Sequence, residues 1–160
     1  MNPQTTNLNQ ADQLARAAAL DISRSFLMQA PAGSGKTEVL TQRFLTLLTM
    51  VEQPEQVLAL TFTKKAAAQM RHRVLQALHL AAYAVEPCQE PELTRWRIAR
   101  QVLVQDQRNN WQLLASPTRL RLLTIDSLCA SIVRQSPLAV EYAGSRLCLM
   151  RSRCTKRLWL

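Results

Sequence analysis

The chain has 160 residues, of which 48% are hydrophobic and 19% charged, with only 3 glycines and 7 prolines. That length fits one domain, or one domain and part of another, and the composition excludes a disordered, collagen-like or low-complexity chain. The net charge of +9 permits a polyanionic partner without requiring one, and no apolar run reaches the roughly 20 residues that a membrane span needs. The charge is unevenly spread. Residues 145–160 hold Arg146, Arg151, Arg153, Lys156 and Arg157 and no acid, which leaves +4 for the other 144 residues. The opening MNPQTTNLNQ has no basic segment followed by an apolar one, so no signal peptide is expected and the cytoplasm is the expected compartment. Cys88, Cys129, Cys148 and Cys154 form no C-x-x-C pair, which points to free thiols rather than a zinc site.

In chain order, residues 1–11 are polar. Residues 12–20 are Ala-rich and favour helix, and residues 21–24 break it. Ser25–Ala30 (SFLMQA) has the length and apolar content of a buried strand. A small-residue loop follows, and Lys36–Met50 returns to helical spacing with Val39, Leu40, Phe44, Leu47 and Leu48 on one broad face. Val57–Phe62 is a second strand candidate, and Thr63 is the expected N-cap of a helix running to about Ala84. Pro87 and Pro91 punctuate a loop. Leu93–Leu114 reads as one or two helices, with Trp96 and Trp111 as packing anchors. Leu120–Ile125 is a third strand candidate, and Asp126 or Ser127 is the expected cap of a helix to Gln135. Alternating strands and helices predict an α/β sandwich with a parallel sheet.

Residues 30–37 read A-P-A-G-S-G-K-T, a phosphate-binding P-loop between an apolar strand candidate and a helix. Gly33 and Gly35 let backbone N–H groups turn inward and approach phosphate oxygens. The positive end of the helix starting near Lys36 favours the anion. The Lys36 ammonium can reach the β- and γ-phosphates, and the Thr37 hydroxyl can ligate Mg²⁺. Ala30, Pro31, Ala32 and Ser34 complete the candidate loop. Kinases, GTPases, transporters and helicases share such a loop, so it does not by itself name a reaction.

Residues 57–73 read V-L-A-L-T-F-T-K-K-A-A-A-Q-M-R-H-R. Hydroxyls, an aromatic ring, a helix N-terminus and two lysines are predicted to meet at the carboxyl end of a strand, where open α/β sheets bind ligands. These groups suit a sugar-phosphate backbone and a stacked base, or else a core phenylalanine beside solvated lysines. The stretch resembles motif Ia of the superfamily 1A DNA helicases, the UvrD/Rep/PcrA group, and of the related exonuclease V beta-type nuclease-helicases (RecB/AddA). Residues 30–37 resemble motif I of that group, and L-T-I-D-S-L-C at 123–129 resembles motif Ib.

The resemblance covers about residues 10–144. It implies a RecA-like P-loop fold with ATP and Mg²⁺ as cofactors, Lys36 as the catalytic cation, and ATP-driven, commonly 3′-to-5′, translocation in DNA repair or recombination. It implies that Thr61, Phe62, Thr63 and Lys64 lie along single-stranded DNA, that Thr124 and Asp126 sit near the strand, and that a helicase-nuclease partner subunit is a candidate. Many relatives carry His in place of Asp126, and a carboxylate would repel a phosphate there. A Gln that reads adenine should lie upstream of the first strand, and Gln10 and Gln13 both qualify.

The group's D-E pair of motif II occurs nowhere in the 160 residues. Asp126, at the end of an apolar run, is a Walker-B-like alternative, and a small P-loop kinase using it is a competing reading. Residues 1–144 are therefore expected to be the amino-terminal ATP-binding part of such a helicase, with an incomplete sheet, low solubility and little turnover alone. Residues 145–160 are expected to be an out-of-frame tail. The alternative is a genuine basic tail that makes the chain a non-enzymatic nucleic-acid binder.

Overall fold

The computed structural model describes residues 12–31 and 33–135; Gln10, Ala32, Cys148, Cys154 and the whole 145–160 tail lie outside them. The elements run α1 (12–19), α2 (Lys36–Leu48), β1 (Leu58–Thr61), α3 (Lys64–Tyr83), α4 (Glu92–Asn109), β2 (Arg121–Thr124) and α5 (Ile125–Gln135). Short 3-10 turns at Pro54–Gln56 and Pro117–Arg119 lead into the two strands. β1 and β2 pair in parallel with Leu58 opposite Arg121 and Thr61 opposite Thr124. Parallel pairing needs a long crossover, and α3 and α4 supply it.

The core lies where α2, α3, α4 and β2 meet. Leu45, Leu48, Val74, Leu78, Ala99, Val102, Leu113 and Leu120 are fully buried there. On α3 the buried Ala67, Met70, Val74, Ala77, Leu78 and Ala81 follow helical spacing, which turns one stripe inward. Trp111 is the anchor expected of it: it is 1% exposed, and its indole N–H donates to the Glu52 carbonyl at 2.9 Å. Trp96 packs at the margin of the core, under the Arg100 guanidinium. Leu93–Leu114 resolves into a single helix that stops at Asn110, whose left-handed conformation (φ 52°) ends α4. The Asp106 carboxylate then accepts from the Leu113 N–H at 2.9 Å and holds the chain as it turns toward β2.

Two expectations are corrected. Ser25–Ala30 carries no regular secondary structure and joins no ladder; the sheet of the described residues has two strands, β1 and β2. Phe26 is 43% exposed and Leu27 96%. Apolar content makes a strand only where a neighbouring strand takes up the backbone groups. Here the flanking carbonyls of Arg24, Ala30 and Pro31 are taken by arginine and lysine side chains instead. The cap of α5 is neither Asp126 nor Ser127. Thr124 Oγ1 accepts from the Ser127 N–H at 3.2 Å and shares a second bond with the Ser127 hydroxyl at 2.8 Å. Thr63 does cap α3, accepting from the Ala66 N–H at 3.1 Å.

Candidate nucleotide and nucleic-acid site

The phosphate loop closes against the first turn of α2. Gly33 and Gly35 both take positive φ, 82° and 81°, a region that a residue with a Cβ enters only at a cost. Gly35 is also the residue before α2, and its carbonyl accepts the first helical bonds from Glu38 and Val39. The first turn of a helix leaves its amides without intrahelical partners, so the loop presents donors and the positive end of α2 together. The Lys36 ammonium curls back into the loop and donates to the carbonyls of Ala30 and Pro31, each at 2.5 Å. The Ser34 hydroxyl is buried and has no partner among the described residues. Thr37 is exposed at the start of α2, with its carbonyl held by the Thr41 hydroxyl. An orphaned buried hydroxyl, two left-handed glycines and a lysine beside a helix N-terminus together fit a polyphosphate.

Two acids stand near this cation-rich loop, and each is paired. Glu38, in the first turn of α2, meets Arg95 of α4 at 2.9 Å. Asp12 meets Arg16 one turn along α1 at 2.7 Å. Arg16 in turn donates to the Ser34 carbonyl at 2.7 Å. A cleft of about 420 Å³ opens beside the loop, walled by Ala15, Ala18, Phe26, Met28 and Val39, with Asp12, Arg16, Ser34 and Lys36 at its polar end. Gln13 is exposed and does not line this cleft. Arg16, by contrast, lines it although no sequence motif points to this residue. Helical spacing from Asp12 signals the ion pair, but nothing in the local pattern signals the reach to Ser34.

The second cluster sits at the carboxyl ends of the strands. β1 ends at Thr61, whose hydroxyl donates to the Thr63 carbonyl at 3.0 Å and folds the turn tightly. That turn pushes Phe62 outward to 89% exposure, next to the exposed Lys64 and Lys65 at the start of α3. β2 ends in register at Thr124, which is buried and spends its hydroxyl on the α5 cap. Thr124 therefore shapes its turn rather than offering a group to a ligand, and the exposed Asp126 is the polar side chain presented there. Arg71 of α3 ties that helix to β2 by donating to the Leu122 carbonyl at 2.9 Å.

The family described as UvrD/REP helicase N-terminal domain matches residues 10–157. The chain belongs to that family. The match extends past Gly144, beyond the stretch that carries the motif resemblance, and takes in most of the basic segment. Among curated proteins, the chain is 37% identical over 125 residues to an ATP-dependent helicase/nuclease subunit of Desulfitobacterium hafniense; the match covers 76% of this chain and 8% of that protein. A protein with the same description from Desulforamulus reducens is 35% identical over 128 residues, 78% of this chain and 9% of that protein. DNA helicase II of Salmonella typhimurium is 49% identical over 55 residues, 34% of this chain and 8% of that protein. The matched stretch is thus less than a tenth of the length of each of these relatives. No solved structure matches.

The match spans both clusters, the loop at 30–37 and the turns at the carboxyl ends of β1 and β2. Among the described residues no three His, Cys, Asp or Glu side chains gather as a metal-binding group, and no helix is long and apolar enough to cross a membrane. Cys88 and Cys129 are free and exposed.

Proposed function

We propose that the chain is the nucleotide-binding portion of an ATP-dependent DNA helicase or helicase-nuclease that acts in DNA repair or recombination. The observation that carries this reading is the loop at 30–37, with its paired left-handed glycines, its inward lysine and its orphaned Ser34 hydroxyl ahead of α2. On this reading Ala30, Pro31, Ala32, Gly33, Ser34 and Gly35 wrap a polyphosphate, and Lys36 meets its terminal charge. The Thr37 hydroxyl supplies a ligand to Mg²⁺, an ion that screens charge on the phosphates. Gln13 stays the candidate for adenine contact. Phe62 offers a stacking face to a base of single-stranded DNA, with Thr61, Thr63 and Lys64 along the backbone and Asp126 near the strand. Movement along the strand, in the 3′-to-5′ direction, and a partner subunit belong to the longer protein. Turnover by these 160 residues is expected to be very low, because no D-E pair is present to complete the metal site.

Nucleotide binding to the 160-residue chain tests the reading. Lys36→Ala should weaken Mg·ATP binding by roughly 10- to 100-fold, the range of one lost charged hydrogen bond. Phe62→Ala should weaken single-stranded oligonucleotide binding and leave ATP binding alone. Wild-type ATP affinity in Lys36→Ala sinks the assignment of the loop. Robust DNA-stimulated hydrolysis by this chain sinks the expectation of low turnover.

A further inference from the structure

The phosphate loop is braced from outside by a residue that belongs to no part of its motif. Arg16 lies 18 positions upstream of Ser34, on α1, and its Nη2 donates to the Ser34 carbonyl at 2.7 Å. Its Nε is held by Asp12 at 2.7 Å, so the guanidinium is fixed at two of its donors. A Cβ on Gly35 would stand 2.9 Å from Arg16 Nη1, so the loop backbone passes close against the guanidinium and a side chain there would displace it. In a planar trans peptide the carbonyl of one residue and the N–H of the next point in opposite directions. Holding the Ser34 carbonyl toward Arg16 therefore aims the Gly35 N–H away from α1. The Gly33–Ser34 peptide is tied separately, by the Ser34 N–H to the Pro31 carbonyl at 3.4 Å. Without the Arg16 hold the Ser34–Gly35 peptide is free to rotate, since glycine favours neither sign of φ.

We propose that Arg16 is a positioning residue for phosphate binding: it fixes the Ser34–Gly35 peptide so that the Gly35 amide is pre-aimed at a phosphate oxygen. The inference rests on the reading of residues 30–37 as a polyphosphate site. It adds that α1 sets the affinity of that site through Asp12 and Arg16, although neither side chain touches the phosphates.

The test is calorimetric titration of the 160-residue chain with Mg·ATP and with inorganic tripolyphosphate, beside thermal melts. Arg16→Ala should weaken both ligands by the same factor, about tenfold, with the melt unchanged. Arg16→Lys, which keeps one charged donor for the Ser34 carbonyl, should return most of that affinity. Unchanged binding in Arg16→Ala, with Lys36→Ala still impaired, overturns the brace and leaves the phosphate site standing. Wild-type binding in both variants overturns the phosphate site and the brace together. Loss of ATP but not tripolyphosphate, or loss that tracks a lowered melt, also overturns the brace. If Arg16→Ala does not fold, Arg16→Met, which keeps the aliphatic stem and loses every donor, decides: a tenfold loss of both ligands supports the brace, and affinity within about threefold of the parent overturns it.

Discussion

The two halves of the molecule are held by different forces. Where α2, α3, α4 and β2 meet, leucines, valines and Trp111 are shut away from water, and most are below 2% exposed. Around the phosphate loop several apolar residues are open, Leu27 at 96% and Phe26 at 43%, and the backbone hangs on three cationic side chains. Arg16 holds Ser34, Lys36 holds Ala30 and Pro31, and Arg43 holds the carbonyls of Ala19, Asp21 and Arg24 while packing over Phe26. Burial is distributed over many contacts and changes little when one polar group is lost. A segment suspended from a few charged donors responds locally and sharply to each. Loops that bind ligands belong to this less stable class.

The largest effect should come from the core. Leu78→Ala should cost about 2–5 kcal/mol, seen as a lowered denaturation midpoint for the whole chain. A local effect confined to α3 would mean that the core is not one cooperative unit. Arg43→Ala should act on the other half, at about 1–3 kcal/mol for its charged donors. Amide exchange across residues 19–26 should speed up while exchange in α3 and α4 stays as it was. Faster exchange everywhere would erase the distinction between the halves.

The smallest effect concerns Glu55, whose carboxyl the Arg119 guanidinium holds below its ordinary value of 4.5 through a 2.6 Å hydrogen bond. A carboxyl with a lowered folded-state pKa adds stability that is in place above its unfolded value and is lost as pH falls through the folded one. The pair is two-fifths open on the Glu55 side, so solvent screening keeps this contribution below about 1 kcal/mol. Acid titration of the melting point should show a shallower fall below pH 4.5 in Glu55→Gln than in the parent. Parallel curves would show that the pair adds nothing.

The sequence was most legible where a local rule acts alone. The Gly33-Ser34-Gly35-Lys36-Thr37 run names its loop because glycine takes its positive φ values without cost, and Thr63 names its helix because its hydroxyl accepts from the Ala66 N–H. It was least legible where partners lie far along the chain. SFLMQA reads as a strand on composition, but whether a ladder forms depends on which groups claim the neighbouring carbonyls, and Arg43 and Lys36 claim them. Thr124 rather than Asp126 caps α5, because the strand delivers its hydroxyl to Ser127 at the point where the helix begins. Arg16 could not be tied to Ser34 from spacing alone, since 18 residues and a turn separate them.

The register of the two strands has a mechanical consequence. Because Thr61 stands opposite Thr124, β1 and β2 end level with each other, one strand spacing of about 4.8 Å apart, and α3 and α5 follow from that edge three residues and one residue later. The spacing of those strand ends is set by the backbone ladder, and Arg71 of α3 adds a bond to the Leu122 carbonyl within β2. Substitution at Phe62 or Asp126 can therefore change the chemistry presented at the two turns, while the spacing of the strand ends stays built into the sheet.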